Sequence, residues 1–358
     1  MFQIPSYDLS RRNTFRMKVR CALYVELTHE ADLPALDWDA LPQPVMVMGG
    51  GSNLLFTGDF PGTVLHYGEI SPLASLGRND INPVISSEAE VEKSQILVTC
   101  AAGTVFDDFC AWAAAEGLWG PENLSLIPGE CGASAVQNIG AYGVEAKDII
   151  TGIRAWDRQE RRFVDIVPAD CAYGYRTSRF KTEWKGRYVI TAVTYRLSRE
   201  PQPKLDYGGV RKALEMAGHA GNLTPQVIRD TIISIRNRKL PDPAVTGSAG
   251  SFFCNPVISR EHFARIVAIA RADNGPDYTV PHFEVGDSVK VPAAWMIDQC
   301  GFKGATCGGA QVYPQQPLVI VNASGSASPE EIVELEQRVI AAIQNKYGIT
   351  LHPEVEHV

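Results

Sequence analysis

Three stretches of this 358-residue chain combine residue types that could do chemistry. The first is GGGSNLL, residues 49–55, where glycines follow an apolar run. Glycine lets a backbone approach a ligand closely and aim its N–H groups at it. The second is GPENLSLIPGECGASAVQNIGAYGVE, residues 120–145, in which Gly129, Gly132, Gly140 and Gly143 are interleaved with Ser134, Gln137, Asn138 and Tyr142. Backbone donors beside side-chain amides and hydroxyls are what a diphosphate cradle needs; the same composition also builds an ordered surface loop without a ligand. The third is GSAGSFFCNP, residues 247–256, with Ser251 just ahead of two phenylalanines. Small neighbours could bring that hydroxyl up to a reacting atom, and the same pattern also serves a serine that starts a buried strand.

The first loop is not a Rossmann fingerprint. Gly49 and Gly51 fit its first two positions and Glu69 lies about twenty residues on. However, Leu54 takes the place of the third glycine, and LLFTGDFPGTVLHY reads as strand and turn with no room for a crossover helix. No Gly-Lys-Ser/Thr follows, so it is not a P-loop either.

Composition sets outer bounds. Formal net charge is −8, which argues against a nucleic-acid binder, since displacing counterions needs a basic surface. Small anions remain possible ligands, because a few local cations and N–H groups suffice for them. The 8 cysteines are scattered and form no C-x-x-C, so reduced thiols in a cytoplasmic protein are expected. The histidines show no paired-ligand spacing, so no metal site is expected. No apolar run is long enough to span a bilayer, and the N-terminal residues contain no signal-peptide core.

The elements that must position these stretches are strands and helices without a regular alternation, which predicts an α+β fold. PVMVMGG, TVLHY, QILVTCAAG, GIRAWDR and YVITAVTYRL read as strands. TVFDDFCAWAAAEGL reads as a helix with Thr104 as N-cap, Gly117 as stop, and Val105, Phe109 and Trp112 on one face. Thr224, Ser259 and Ser328 are N-cap candidates for three later helices; Pro225 and Pro329 follow the first and last of them, and Glu331 completes a capping box. The proline- and glycine-rich SREPQPKLDYGG predicts a domain boundary. The expected division is 14–200 in two lobes meeting near residue 70, then 206–345, then a final strand in 346–358.

Taken together, GGGSNLLF, the second glycine loop, YGYRTSRFK, RKLPDP, GSAGSFFCNP, CGFKG, GGAQVYPQQPLVIVN and LHPEV occur in an order that resembles the UDP-N-acetylenolpyruvoylglucosamine reductases, in their longer, type I form. These are flavoenzymes of bacterial peptidoglycan precursor synthesis, and the resemblance covers nearly the whole chain. It implies a flavin-binding half of the vanillyl-alcohol-oxidase (PCMH-type) kind followed by an α+β substrate domain. It also implies non-covalent FAD, NADPH as reductant, and an enolpyruvyl ether of UDP-N-acetylglucosamine as substrate; a cytoplasmic monomer is expected. The glycine loops would hold the flavin through Gly49, Gly50, Gly51, Ser52, Asn53, Leu54, Pro128, Gly129, Gly132, Ala133, Ser134, Gln137, Asn138, Gly140 and Ala141.

The resemblance assigns chemistry as well. Hydride from the flavin N5 would reach the vinyl terminus, leaving carbanion character beside the carboxylate. Arg176 would face that carboxylate, Glu354 would donate to it if protonated, and Ser251 would give the carbanion its proton. Arginine is always charged and grips carboxylate with two bonds; an enediolate-like dianion needs such donors. Tyr207, Lys239, Asn255 and Gln316 would hold the nucleotide end, with Tyr142, Arg236 and Lys303 as further substrate contacts. Departures from the family pattern are Cys131, Ala135 where proline is common, Thr177 where aspartate is common, and Glu356 where some relatives carry a basic residue. Two other readings are a flavin oxidase of the same fold and a flavin- or nucleotide-sugar-binding protein without turnover. The first glycine loop has no histidine to tether a flavin covalently.

Overall fold

The structure, a computed structural model, describes residues 1–68, 84–86, 94–219 and 221–358. Glu69 and the lobe boundary expected near residue 70 lie outside these residues. The chain forms two compact units: Met1–Tyr7, Arg20–Gly51 and Phe60–Asn237 make the first, and Asp8–Val19, Ser52–Asp59 and Arg238–Val358 make the second. This differs from the expected break near residue 200. Residues 206–237 stay with the first unit because Val210, Leu214, Ile228, Ile232 and Ile235 bury their side chains with Leu205 and Trp119.

Two larger sheets stand out among the described residues of the first unit. One is four-stranded, in the order Phe2–Asp8, Arg20–Leu27, Phe60–Tyr67, Val45–Val47, with its last three strands parallel. The other is five-stranded and antiparallel, in the order Arg162–Ile166, Ile150–Asp157, Tyr188–Ser198, Gln95–Ala101, Val84–Ser86. The helix Phe106–Ala115 buries Phe106, Phe109, Cys110, Ala113 and Ala114. The apolar face is therefore displaced from the expected one: Val105 is the N-cap and exposed, without a capping side chain. Thr104 is held back in a turn, its N–H on the Ala101 carbonyl and its own carbonyl accepting from Cys131.

In the second unit, Gly247–Ser248, Ile320–Asn322, Ala310–Val312 and Thr306–Cys307 form an antiparallel sheet in that order. The expected caps are present: Ser259 accepts from the His262 N–H, and Ser328 with Glu331 forms a reciprocal capping box on the helix Pro329–Tyr347. In the first unit, Thr224 likewise accepts from the Val227 N–H. The final strand shortens to Glu356–His357 and pairs in parallel with Leu54–Leu55.

Candidate active site

In the first unit the second glycine loop is partly helical, since Cys131–Gln137 forms a short helix that composition alone did not suggest. A two-residue hairpin follows, Gly140–Ala141 against Val144–Glu145. Tyr142 and Gly143 at its tip both have positive φ, 49° and 83°, as a type I′ turn requires. Asn123, fully buried, ties this tip down by donating to the Tyr142 and Lys204 carbonyls, each at 2.8 Å.

Four of the expected substrate-side residues gather around this hairpin. Arg176 Nη2 donates to the Gly140 carbonyl at 2.6 Å, and its guanidinium lies 5.6 Å from the Tyr175 ring centre. That carbonyl orients the arginine where Thr177 replaces the aspartate expected from relatives. Arg236, on the helix Pro225–Lys239, meets Tyr142. Burial pushes the Arg236 guanidinium below the usual arginine range, with Tyr142 and Asp107 opposing and Arg176 adding to the shift. Burial also raises the Tyr142 phenol, against the pull of Arg236. Tyr207 packs beside Gly143, and a β-carbon on Gly208 would stand 2.7 Å from the Tyr142 ring. Two arginines and two tyrosines at one hairpin suit an anionic ligand with a ring or phosphate to cover.

Several loop side chains assigned to the cofactor also make bonds within the protein. Ser134 Oγ bonds the Cys131 carbonyl at 2.7 Å and the Tyr195 hydroxyl at 2.9 Å, wholly buried. Asn138 donates to the Gly174 carbonyl and Glu145, and accepts the Lys147 N–H. Gln137 accepts from Lys181 Nζ at 2.6 Å. The N–H of Gly132 is taken by the Ala102 carbonyl, while the carbonyl of Gly129 accepts from Phe106. Pro128, Ala133 and Ala141 offer backbone alone. Gly49 and Gly50, by contrast, have N–H groups with no acceptor among the described residues.

In the second unit, Ser251 and Glu354 lie on segments that are hydrogen-bonded to each other. The Glu354 N–H donates to the Phe252 carbonyl at 2.8 Å, and the Cys254 N–H to the His352 carbonyl at 3.0 Å. On its other side the Phe252 N–H donates to the Leu318 carbonyl at 2.7 Å. Phe252 and Phe253 are fully buried and anchor the segment. Gly247 has a different reason: a β-carbon there would stand 2.4 Å from the Phe15 carbonyl oxygen, so its small size admits residues 14–15. Asn53 also acts locally. Its Nδ2 donates to the Glu354 carbonyl at 3.0 Å and its own carbonyl accepts the Glu356 N–H, so it holds the segment that carries Glu354. Ser52 belongs to the same loop, and Leu54 pairs with Glu356. His357 anchors this strand further, with Nε2 2.8 Å from the Glu336 carboxylate.

Among the proposed nucleotide contacts of this unit, Lys239 and Lys303 are exposed and Gln316 is half-buried. Asn255 already accepts the Ala293 N–H at 2.9 Å, which starts the helix Ala293–Gln299. Three residues escaped the sequence reading altogether: His66, buried, and Glu26 and Glu130, half-buried, form a cluster beside the first glycine loop. Their separation in the chain left no spacing signal.

Comparison with known proteins agrees with this layout. Residues 22–163 match the family described as FAD binding domain, and residues 242–358 match the UDP-N-acetylenolpyruvoylglucosamine reductase, C-terminal domain. The chain is 41% identical to the UDP-N-acetylenolpyruvoylglucosamine reductase of Bacteroides fragilis over 98% of its length and 99% of the relative's. It is 41% identical to that of Cupriavidus pinatubonensis over 97% of both chains. Among solved structures it resembles the reductase of that name from Thermus caldophilus, with TM-score 0.63 and 20% identity over 99% of this chain and 98% of that one. An α+β fold with a flavin-binding half is thus established.

Proposed function

The chain belongs to the UDP-N-acetylenolpyruvoylglucosamine reductase family, and we propose that it reduces the enolpyruvyl ether of UDP-N-acetylglucosamine to UDP-N-acetylmuramate, with NADPH as reductant. The cofactor is FAD. The chain's residues fit it: Gly49 and Gly50 present N–H groups without acceptors among the described residues, a donor set suited to a pyrophosphate. When bound, the flavin supplies two-electron transfer from NADPH to the vinyl terminus. No histidine in the first glycine loop offers a covalent tether.

The chain's own residues then handle charge and proton. Arg176 is assigned to the substrate carboxylate, where a fixed guanidinium stabilises the developing dianion. Arg236 adds a second desolvated cation at the same hairpin. Glu354 is assigned to hydrogen-bond the aci-carboxylate, and Ser251 to protonate the adjacent carbon. A hydroxyl is a weak acid, but a carbanion is a strong base, so the transfer is favourable once geometry is set. The observation that carries this reading is the bond from Glu354 N–H to the Phe252 carbonyl, because it places the segments of two assigned residues side by side. Tyr142, Tyr207, Lys239, Asn255, Lys303 and Gln316 are assigned to the substrate. The proposed setting is a cytoplasmic monomer in cell-wall precursor supply, and so in cell shape and division. Its support is the family resemblance. Among the described residues, no helix is long and apolar enough to cross a membrane.

The test is NADPH consumption by the purified protein with and without the enolpyruvyl nucleotide sugar. Rapid consumption only with the sugar is expected. Consumption coupled to oxygen alone would identify an oxidase, and a colourless protein without turnover would overturn the flavoenzyme reading.

Gly208 offers a narrower check. It has φ of 67° and a β-carbon there would press on the Tyr142 ring. Gly208→Ala should cost about 1–2 kcal/mol in backbone strain and displace Tyr142 and Tyr207. The expected result is a KM for the nucleotide sugar raised roughly tenfold with a much smaller change in kcat; the opposite split would count against a substrate role for this pair.

A further inference from the structure

His66 lies on the strand Phe60–Tyr67, buried, with both ring nitrogens on carboxylates. Nδ1 is 2.9 Å from Glu26 Oε2 and 3.0 Å from Oε1, while Nε2 is 3.0 Å from Glu130 Oε1. The Tyr24 hydroxyl donates to Glu26 from the same side. Glu130 immediately precedes the helix Cys131–Gln137 in the second glycine loop, yet its side chain does not cap that helix. It turns to the first loop instead: a β-carbon on Gly49 would stand 3.1 Å from Glu130 Oε2, and one on Gly50 would stand 3.6 Å from Oε1.

We propose that His66 is a positioning residue of the cofactor site, an imidazolium clamp that fixes Glu130 of the second glycine loop against Gly49 and Gly50 of the first. The inference rests on the assignment of these loops to FAD. It follows from donor counting. A neutral imidazole has one N–H and one lone pair, so it can satisfy only one of two flanking carboxylates. The other would face a lone pair across about 3 Å. Both contacts hold together only when the ring carries two protons. Tyr24 and Glu26 from the strand Arg20–Leu27, and Glu130 from the second loop, are the titratable groups facing it among the described residues.

Burial alone would favour the neutral ring, but the hydrogen bonds and charges of Glu130 and Glu26 outweigh it and raise His66 to about 9. The clamp is therefore closed at neutral pH. Its contribution is complete below the ordinary histidine value, near 6.5, and is lost as pH rises through about 9.

The experiment uses flavin-stripped protein titrated with FAD, read by flavin fluorescence, at a series of pH values. For the wild type, Kd is expected to stay flat near neutral pH and to rise roughly threefold between about pH 8 and about pH 9.5. His66→Asn should raise Kd roughly tenfold at neutral pH and abolish the pH dependence. Glu130→Gln leaves the His66–Glu26 pair in place, so it decides the matter if the first variant does not fold; it should show the same raised, flat Kd. Combining the two substitutions should cost no more than either alone. A packing role without a proton would give no such pH profile and additive losses. A wild-type Kd that is flat throughout overturns the clamp, as does either variant, folded, with wild-type affinity. A wild type that takes up no FAD at any pH would instead overturn the cofactor reading, and the clamp with it.

Discussion

Ser251→Ala is expected to leave flavin reduction by NADPH close to its normal rate and to slow reoxidation by the enolpyruvyl nucleotide sugar by roughly 10²–10⁴-fold, the range a positioned proton donor contributes. The separation arises because a hydroxyl that delivers a proton to the substrate has no part in the first half-reaction. The backbone around it supports a clean comparison. Phe252 is tied on one side to the Leu318 carbonyl and on the other to the Glu354 N–H, and both phenylalanines are buried. Gly250, with φ of 71°, sets the direction from which residue 251 enters. Alanine removes one oxygen from a half-buried position and leaves these bonds in place. Ser251→Cys, which keeps a transferable proton, should recover part of the loss. Stopped-flow measurement of the two half-reactions reads all of this. An alanine variant that reoxidises at the wild-type rate would remove Ser251 from the proton path.

What the sequence disclosed and what it concealed divide along a physical line. The N-caps Thr224, Ser259 and Ser328 were legible because each bonds a backbone N–H three residues on. The assignments of Ser251 and Arg176 come instead from the whole motifs that surround them, and they stand as proposals. The helix Cys131–Gln137 was not legible, since glycine and serine density there reads as loop. Side chains with two possible duties were also ambiguous. Ser134 and Asn138 have the donors a diphosphate needs, but tertiary partners such as Tyr195 and Gly174 claim them. Asn53, assigned to the cofactor, also bonds the Glu354 carbonyl 301 residues away, which no local pattern could disclose. The His66 clamp joins partners 40 and 64 residues apart on separate strands and loops, where no periodicity can register it. The unit division was misplaced for a similar reason. A proline-rich stretch marks a flexible link, but the apolar residues that follow it, Val210 and Leu214, are buried with Trp119.

Asp107→Ala is expected to cost about 3–5 kcal/mol of stability, the range for removing one partner of a buried ion pair and leaving the other charge uncompensated. Asp107 and Arg229 meet through two bonds, Nη1 to Oδ1 at 2.5 Å and Nη2 to Oδ2 at 2.9 Å, and the arginine side chain is only 10% exposed. Asp107 also accepts the Leu126 N–H, so alanine strands a backbone donor as well. Burial alone would raise the Asp107 carboxyl; the Arg229 and Leu126 bonds, with the charges of Arg229 and Arg236, hold it below its ordinary value. The pair's contribution is therefore present above about pH 4 and lost as acid protonates the folded carboxylate. Denaturant unfolding at neutral pH should show the full loss in Asp107→Ala, and the gap to wild type should narrow at low pH. Replacing both partners, as in Asp107→Leu with Arg229→Met, should cost less than the single alanine, because no charge is then left buried. The consequence reaches the site through the helix Pro225–Lys239, which carries Arg229 and Arg236, one assigned to stability and the other to the substrate. An Asp107→Ala protein within about 1 kcal/mol of wild type would show that water reaches Arg229 and that the pair is no anchor for this helix.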